Sequence, residues 1–238
     1  MKLICYLSNG YPSIEESIKM AEIYTHAGAD MIEIDFPSRN PYLESEFIAD
    51  RMAEALKACD DYDAYMDGMK RVKRLLPSTQ FILMVYENTV EEIGPDKFID
   101  FCRSNHYEDL ILVGLKDESI KNLCIRNGLK VSCYVQRRMD RMEIEYAKQS
   151  NGFVYLQAKA DPDQVNPLYP TLKDCIDHLR CIGIDRPIYC GVGIHTPEDA
   201  KAAKEAGADG VFVGSTILKL HNDIPALIKE INEFKKNC

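Results

Sequence analysis

Two carboxylic acids two residues apart, Glu33 and Asp35, lie in the short apolar run Met31-Ile32-Glu33-Ile34-Asp35. Successive side chains of an extended strand point to opposite faces. Ile32 and Ile34 therefore share one face, and both acids share the other. Burial disfavours the charged form of a carboxyl group and raises its pKa toward the range useful for proton transfer. The pair reads either as acid–base machinery or as acids salt-bridged or solvated at a strand end. A third acid, Glu44, follows in the loop Phe36–Glu44, which Pro37 and Pro41 stiffen. Its pattern alone is that of a solvated acid favoured by the dipole of the next helix. Far along the chain, Gly191-Val192-Gly193-Ile194 and Val213-Gly214-Ser215 each close a short apolar run. Strands that end in glycine and open into helices bring backbone N–H groups close to an anion. The chemistry indicated is proton transfer on a small phosphorylated ligand.

These residues need a scaffold, and the apolar pattern supplies one. Strand-like runs are expected at Leu3–Leu7, Met31–Asp35, Phe81–Val85, Leu110–Val113, Val131–Val135, Phe153–Gln157, Ile188–Cys190 and Val211–Val213. Helical patterns alternate with them, among them Ile14–Ala27, Phe47–Ala58, Tyr65–Leu76, Lys97–Asn105, Ile120–Asn127, Glu143–Gln149, Leu172–Ile182, Pro197–Ala206 and Ile224–Lys235. Ser13 and Glu16, three residues apart, have the form of a capping box for the first helix. The turns Ala27-Gly28-Ala29-Asp30 and Ala206-Gly207-Ala208-Asp209 echo each other, each a helix ending on glycine before a strand. Eight strands alternating with helices, joined by short loops, predict an α/β fold: a single (β/α)8 TIM barrel over residues 1–238. In a barrel the outer strand face packs on helices, so Glu33 and Asp35 are expected to point inward near the strand's C-terminal end, where barrel enzymes place catalytic groups.

Composition narrows the function further. The chain has 238 residues, 46% hydrophobic and 28% charged, which suits a globular domain with a sizeable core. A net charge of −9 without a basic stripe argues against a sequence-independent hold on nucleic acid. No apolar run reaches the roughly 20 residues of a membrane helix, and Met1-Lys2-Leu3 passes straight into a strand, so no membrane association and a cytoplasmic location are expected. Nine scattered cysteines lack the spacing of a zinc site or a disulfide framework, so no metal is expected and most should be core residues. Gly191-Val192-Gly193 lacks the third glycine of a dinucleotide fingerprint, and no P-loop lysine motif occurs. His195 and the pair Arg137-Arg138 are read as solvated loop residues.

Several stretches carry a family resemblance. Ser8-Asn9-Gly10-Tyr11-Pro12-Ser13 and Ala27-Gly28-Ala29-Asp30-x-Ile32-Glu33-Ile34-x-x-Pro37-x-x-x-Pro41 resemble the opening of the tryptophan synthase α subunit. Leu83–Asn88 is similar to its third strand and Gly152–Tyr155 to its sixth. Gly191-Val192-Gly193-Ile194-x-x-Pro197-Glu198 and Val213-Gly214-Ser215 are similar to its phosphate-binding end. The resemblance implies a phosphate-binding barrel lyase that cleaves indole-3-glycerol phosphate to indole and glyceraldehyde 3-phosphate. It implies Glu33 as proton shuttle, Glu44 in the place of an aspartate that meets the indole N–H, and Tyr155 as a site-lining tyrosine of the catalytic set. Gly191, Gly193, Gly214 and Ser215 fall on phosphate-binding positions, and Tyr86 joins the substrate-binding set. A β subunit becomes a possible partner; no cofactor is implied for this chain, pyridoxal phosphate being the partner's.

The chain also departs from the pattern. Glu33-Ile34-Asp35 stands where the family has Glu-Leu-Gly, and Ala158-Lys159-Ala160-Asp161-Pro162 replaces a Gly-x-Thr-Gly lid. Val113-Gly114-Leu115 replaces an aspartate-bearing turn. Two alternatives therefore stay open. In one, a lyase or isomerase acts on a different sugar phosphate with Asp35 or Lys159 at the reacting centre. In the other, a catalytically silent α-like subunit has Asp35 or Arg39 filling the pocket.

Overall fold

The computed structural model describes every residue except Leu115, so the turn Val113-Gly114-Leu115 lies partly outside the described residues. The chain divides into two compact units, Cys5–Val131 and Met1–Ile4 with Ser132–Cys238.

The first unit takes the C-terminal part of β1 (Lys2–Leu7) and runs through α1 (Ile14–His26), β2 (Met31–Asp35), α2 (Glu46–Ala58), α3 (Tyr62–Leu75) and β3 (Gln80–Tyr86). It continues with α4 (Glu87–Ile93), α5 (Pro95–Ser104), β4 (Asp109–Val113), α6 (Ser119–Arg126) and β5 (Lys130–Val131). Its strands lie in the order β5-β4-β3-β2-β1, and β2, β3, β4 and β5 pair in parallel. Parallel sheets need a crossover between successive strands, and the intervening helices provide it. Every residue of β2 is buried, as expected of a strand covered on both faces. Past its end the ladder extends one residue, with Phe36 N–H donating to Met84 O at 2.9 Å. The Phe36 ring packs edge-on against Phe98 and Phe101 of α5, both at 6.1 Å, which anchors the chain where the loop carrying Glu44 begins.

The second unit holds β6 (Cys133–Val135), α7 (Arg141–Gln149), β7 (Val154–Gln157), α8 (Leu172–Cys181), β8 (Ile188–Gly191), α9 (Pro197–Glu205), β9 (Gly210–Val213), α10 (Ser215–Leu218) and α11 (Ile224–Asn237). Its strand order is β1-β9-β8-β7-β6, with β6 through β9 parallel. The two echoed turns are alike in detail. Gly28 and Gly207 have φ of 105° and 97°, and Ala29 and Ala208 donate back to Tyr24 O and Ala203 O, each at 3.1 Å. This is the left-handed glycine stop of an α-helix.

Three expectations need correction. The strand expected at Val131–Val135 is interrupted at Ser132: Lys130 and Val131 register with β4, whereas Cys133 to Val135 register with β7. Nine strands thus appear among the described residues in place of eight. Ser13 caps α1 through the Glu16 N–H, but the Glu16 carboxylate turns away to Lys19 at 2.6 Å, so only half of a capping box forms. Full boxes occur instead at Thr171 with Asp174 and Thr196 with Asp199. As expected, most cysteines are core residues, with six of the nine buried.

Candidate active site

In the first unit three carboxylic acids, Glu33, Asp35 and Glu44, converge. Glu33 and Asp35 share the face of β2 opposite the core residues Ile32 and Ile34, and both acids are buried. Asp35 is held by two donors: the Tyr6 hydroxyl at 2.5 Å and the Asn9 N–H at 2.7 Å. Burial raises its carboxyl to about 7, against the lowering pull of those two hydrogen bonds. Among the described residues no donor reaches the Glu33 carboxyl, whose pKa rises well above the usual carboxylate range. Burial is the main cause, followed by the charges of Glu44 and Asp35. A carboxylic acid shifted upward in this way holds its proton more tightly than an exposed one and can deliver it.

Glu44 completes the group from the loop before α2. The loop is pinned at successive points: Tyr62 OH donates to Pro37 O at 3.1 Å, Asn40 N–H to Ser38 Oγ at 3.2 Å, and Leu43 N–H to Tyr86 OH at 3.1 Å. The same Tyr86 hydroxyl donates to Glu44 Oε1 at 3.3 Å. Glu44 is half-buried; desolvation raises its pKa, and the Tyr86 bond works against that rise. Structure thus gives Glu44 a fixed, partly desolvated position, in place of the solvated helix-start acid that its local pattern suggests. Tyr86, fully buried at the end of β3, positions it. Behind Asp35, Arg51 of α2 is buried with its Nε donating to Ser8 Oγ at 3.0 Å and its guanidinium over the Tyr11 ring at 3.8 Å. Its positive charge favours the ionised form of Asp35.

In the second unit the glycine-rich turns are tightly built. Val192 and Gly193 have φ of 56° and 103°, so the chain leaves β8 through two left-handed residues. Their carbonyl side is fixed by Ala158 N–H to Gly191 O at 2.7 Å and Lys159 N–H to Val192 O at 3.1 Å. The Tyr155 phenol lies over Gly191 so closely that any Cβ there would overlap it. Tyr155 also stacks on Phe212 at 4.5 Å. A Cβ on Gly193 would come within 2.6 Å of Lys159 Cβ. Gly214 and Ser215 open α10, and the Thr216 hydroxyl donates to His195 O at 3.3 Å, tying that helix start to the first glycine turn. The His195 and Thr196 N–H groups are taken by Asp199 Oδ2, at 3.0 and 3.1 Å.

The sequence-stated candidates thus fall into two sets: Glu33, Glu44 and Tyr86 in the first unit, and Tyr155, Gly191, Gly193, Gly214 and Ser215 in the second. Sequence reading missed Tyr6 and Asn9, whose partner Asp35 lies in another element, and Asp199, which caps its own helix start and also pairs with the distant Lys159. It also misplaced Arg137, which is buried and donates to Ala158 O at 3.2 Å and Pro170 O at 2.8 Å, clamping the segment between them. Arg138 and His195 are exposed, as expected. Lys159 pairs with Asp199, and Arg39 pairs with Asp60 and Glu92 on exposed side chains. Among the described residues no cluster of three or more His, Cys, Asp or Glu could hold a metal ion, and no helix is long and apolar enough to cross a membrane.

The family model of the tryptophan synthase alpha chain matches residues 1–238. The chain belongs to that family. A tryptophan synthase alpha chain from Aquifex aeolicus is 28% identical over 97% of this chain and 92% of the relative. A solved structure from the same organism superposes with a TM-score of 0.87 at 25% identity, covering 99% of this chain and 92% of that one. The tryptophan synthase subunit alpha from Campylobacter jejuni gives 0.84 at 24% identity, over 98% of this chain and 95% of that one, a likeness of fold. The fold class is the expected (β/α)8 barrel of the family, whose members are lyases of tryptophan biosynthesis.

Proposed function

We propose that the chain cleaves indole-3-glycerol phosphate by a retro-aldol reaction. The protonated Glu33 carboxyl gives its proton to the ring carbon bearing the side chain. Positive charge then develops at the ring nitrogen, whose N–H the Glu44 carboxylate meets, held in place by Tyr86. Glu33, now a carboxylate, takes the proton of the neighbouring glycerol hydroxyl as the carbon–carbon bond breaks. Indole leaves with the electron pair restored to its ring, glyceraldehyde 3-phosphate leaves as the aldehyde, and Glu33 is protonated again. Backbone N–H groups at Gly191, Gly193, Gly214 and Ser215 bind the phosphate, with the Ser215 hydroxyl beside them. Tyr155 covers the first of these turns. No step is assigned to a metal or an organic cofactor.

The observation that carries this reading is the buried Glu33 carboxyl beside a second acid that a tyrosine fixes. The test is indole release from indole-3-glycerol phosphate by the purified chain, alongside Glu33→Gln. Placed acid–base catalysis contributes roughly 10²–10⁴-fold, so kcat should fall by that factor in the variant with the fold unchanged. Wild-type and Glu33→Gln rates that agree would remove Glu33 from the chemistry. We further infer a cytoplasmic reaction with a tryptophan synthase beta subunit as partner. A rise in the indole rate on adding such a subunit would support the pairing.

A further inference from the structure

Asp35 has a role that the reaction above leaves unassigned. It stands two residues beyond Glu33 on the same strand face, about 7 Å along an extended chain. Two like charges at that spacing in a dry interior oppose each other, so one member of the pair loses its proton before the other. The hydrogen bonds decide which. Both Asp35 oxygens have donors, the Tyr6 hydroxyl on Oδ2 and the Asn9 N–H on Oδ1, and among the described residues Glu33 has none. Donors aimed at a carboxylate favour its charged form.

The other groups facing the pair act consistently with this partition. Tyr6 comes from β1, Glu44 from the loop before α2, Arg51 from α2 and Tyr65 from α3. Arg51 favours charge on Asp35, and Glu44 opposes charge on both acids. Tyr6 and Tyr65 are neutral phenols, held so chiefly by burial.

We propose that Asp35 is a positioning residue: held by Tyr6 and Asn9, it carries the first negative charge of the pair and thereby keeps the proton on Glu33. It touches no substrate. Its effect reaches the reaction through Glu33 alone, and its catalytic consequence rests on the retro-aldol reading above. Where the family pattern has glycine at this position, no such charge exists. The chain therefore sets part of the proton affinity of Glu33 through a side chain of its own.

The experiment separates the proton partition from the activity. Protein labelled with 13C at glutamate side-chain carboxyls is titrated by NMR, with the Glu33 signal assigned by its loss in Glu33→Gln. Removing the neighbouring charge in Asp35→Asn should lower the Glu33 midpoint by about one pH unit or more. Tyr6→Phe should move it the same way by less, because Asp35 then competes for the proton. The high-pH limb of indole release should shift downward in the same order. A Glu33 midpoint unchanged in Asp35→Asn overturns the proposal, as does an unchanged one in Tyr6→Phe if Asp35→Asn does not fold. A midpoint that moves while the wild-type chain releases no indole leaves the partition standing and removes the retro-aldol reading instead.

Discussion

One tyrosine hydroxyl at the end of β3 serves two partners: Tyr86 OH accepts the Leu43 N–H and donates to Glu44. In Tyr86→Phe the carboxylate loses its donor and the loop loses its anchor while the ring remains. A hydrogen bond to a charged group contributes about 1.5–3 kcal/mol, so kcat/KM for indole-3-glycerol phosphate should fall roughly tenfold or more. The sign of the pH effect follows from the same bond. It lowers the Glu44 pKa, so its loss raises that pKa further. The low-pH limb of activity, where Glu44 must be ionised, should move upward in a steady-state pH profile, and a limb that stays in place would take Glu44 out of the ionised role. At this scale the sequence was partly legible. The alternation in Met31–Asp35 exposes Glu33 and Asp35 as a shared-face pair, because strand geometry is local. Tyr6 and Arg137 were not legible. Tyr6 meets Asp35 across 29 residues, and Arg137 meets the carbonyls of Ala158 and Pro170 across 21 and 33. Nothing near either residue in the chain announces such partners.

Among the elements, the β7–β8 pair shows how backbone and side chain exclude each other. Parallel register sets Gln157 against Gly191 and Tyr155 against Tyr189, and the Tyr155 phenol reaches along β8 into the space a side chain at residue 191 would need. Tyr155 is also braced by Phe212, so it cannot give way without breaking that stack. Overpacking of this kind costs about 1–3 kcal/mol. Gly191→Ala should therefore lower stability by that amount in denaturant unfolding and raise KM for the phosphorylated substrate more than it lowers kcat. Adding Tyr155→Ala should return KM toward the wild-type value if overlap with the phenol is the cause; a KM that stays high would show that the glycine backbone itself is needed. The same scale explains where element boundaries escaped the sequence. Helix α4 begins directly at the strand end, with Tyr86 as N-cap and no side-chain cap bond, so no Ser, Thr, Asp or Asn marks its start. The break at Ser132 follows from a change of pairing partner between Val131 and Cys133, which no glycine or proline in Val131–Val135 marks.

For the molecule as a whole, the acids that equip the site also set how stability responds to pH. A carboxyl whose folded pKa exceeds its unfolded value binds more protons in the folded state over the interval between the two. Stability then falls as pH rises through that interval. Asp35 moves from 3.8 to about 7, which places the window between roughly pH 4 and pH 7, and Glu33 is shifted in the same direction. The net charge of −9 adds general repulsion over the same range, so wild-type unfolding alone does not isolate the effect. The difference between wild type and Asp35→Asn does, since asparagine keeps the shape and cannot ionise. One pKa unit corresponds to about 1.4 kcal/mol, so the asparagine variant should be more stable by about 2–4 kcal/mol near pH 8. At about pH 3, below both values, Asp35 is mostly protonated in both states of the wild type, and the two proteins should unfold together within about 1 kcal/mol. An equal difference at both pH values would mean that Asp35 acts on the fold through its shape and not its charge. The predicted pattern would instead show a fold that gives up stability at neutral pH to keep a charge beside Glu33, with the loss confined to the range in which that charge exists.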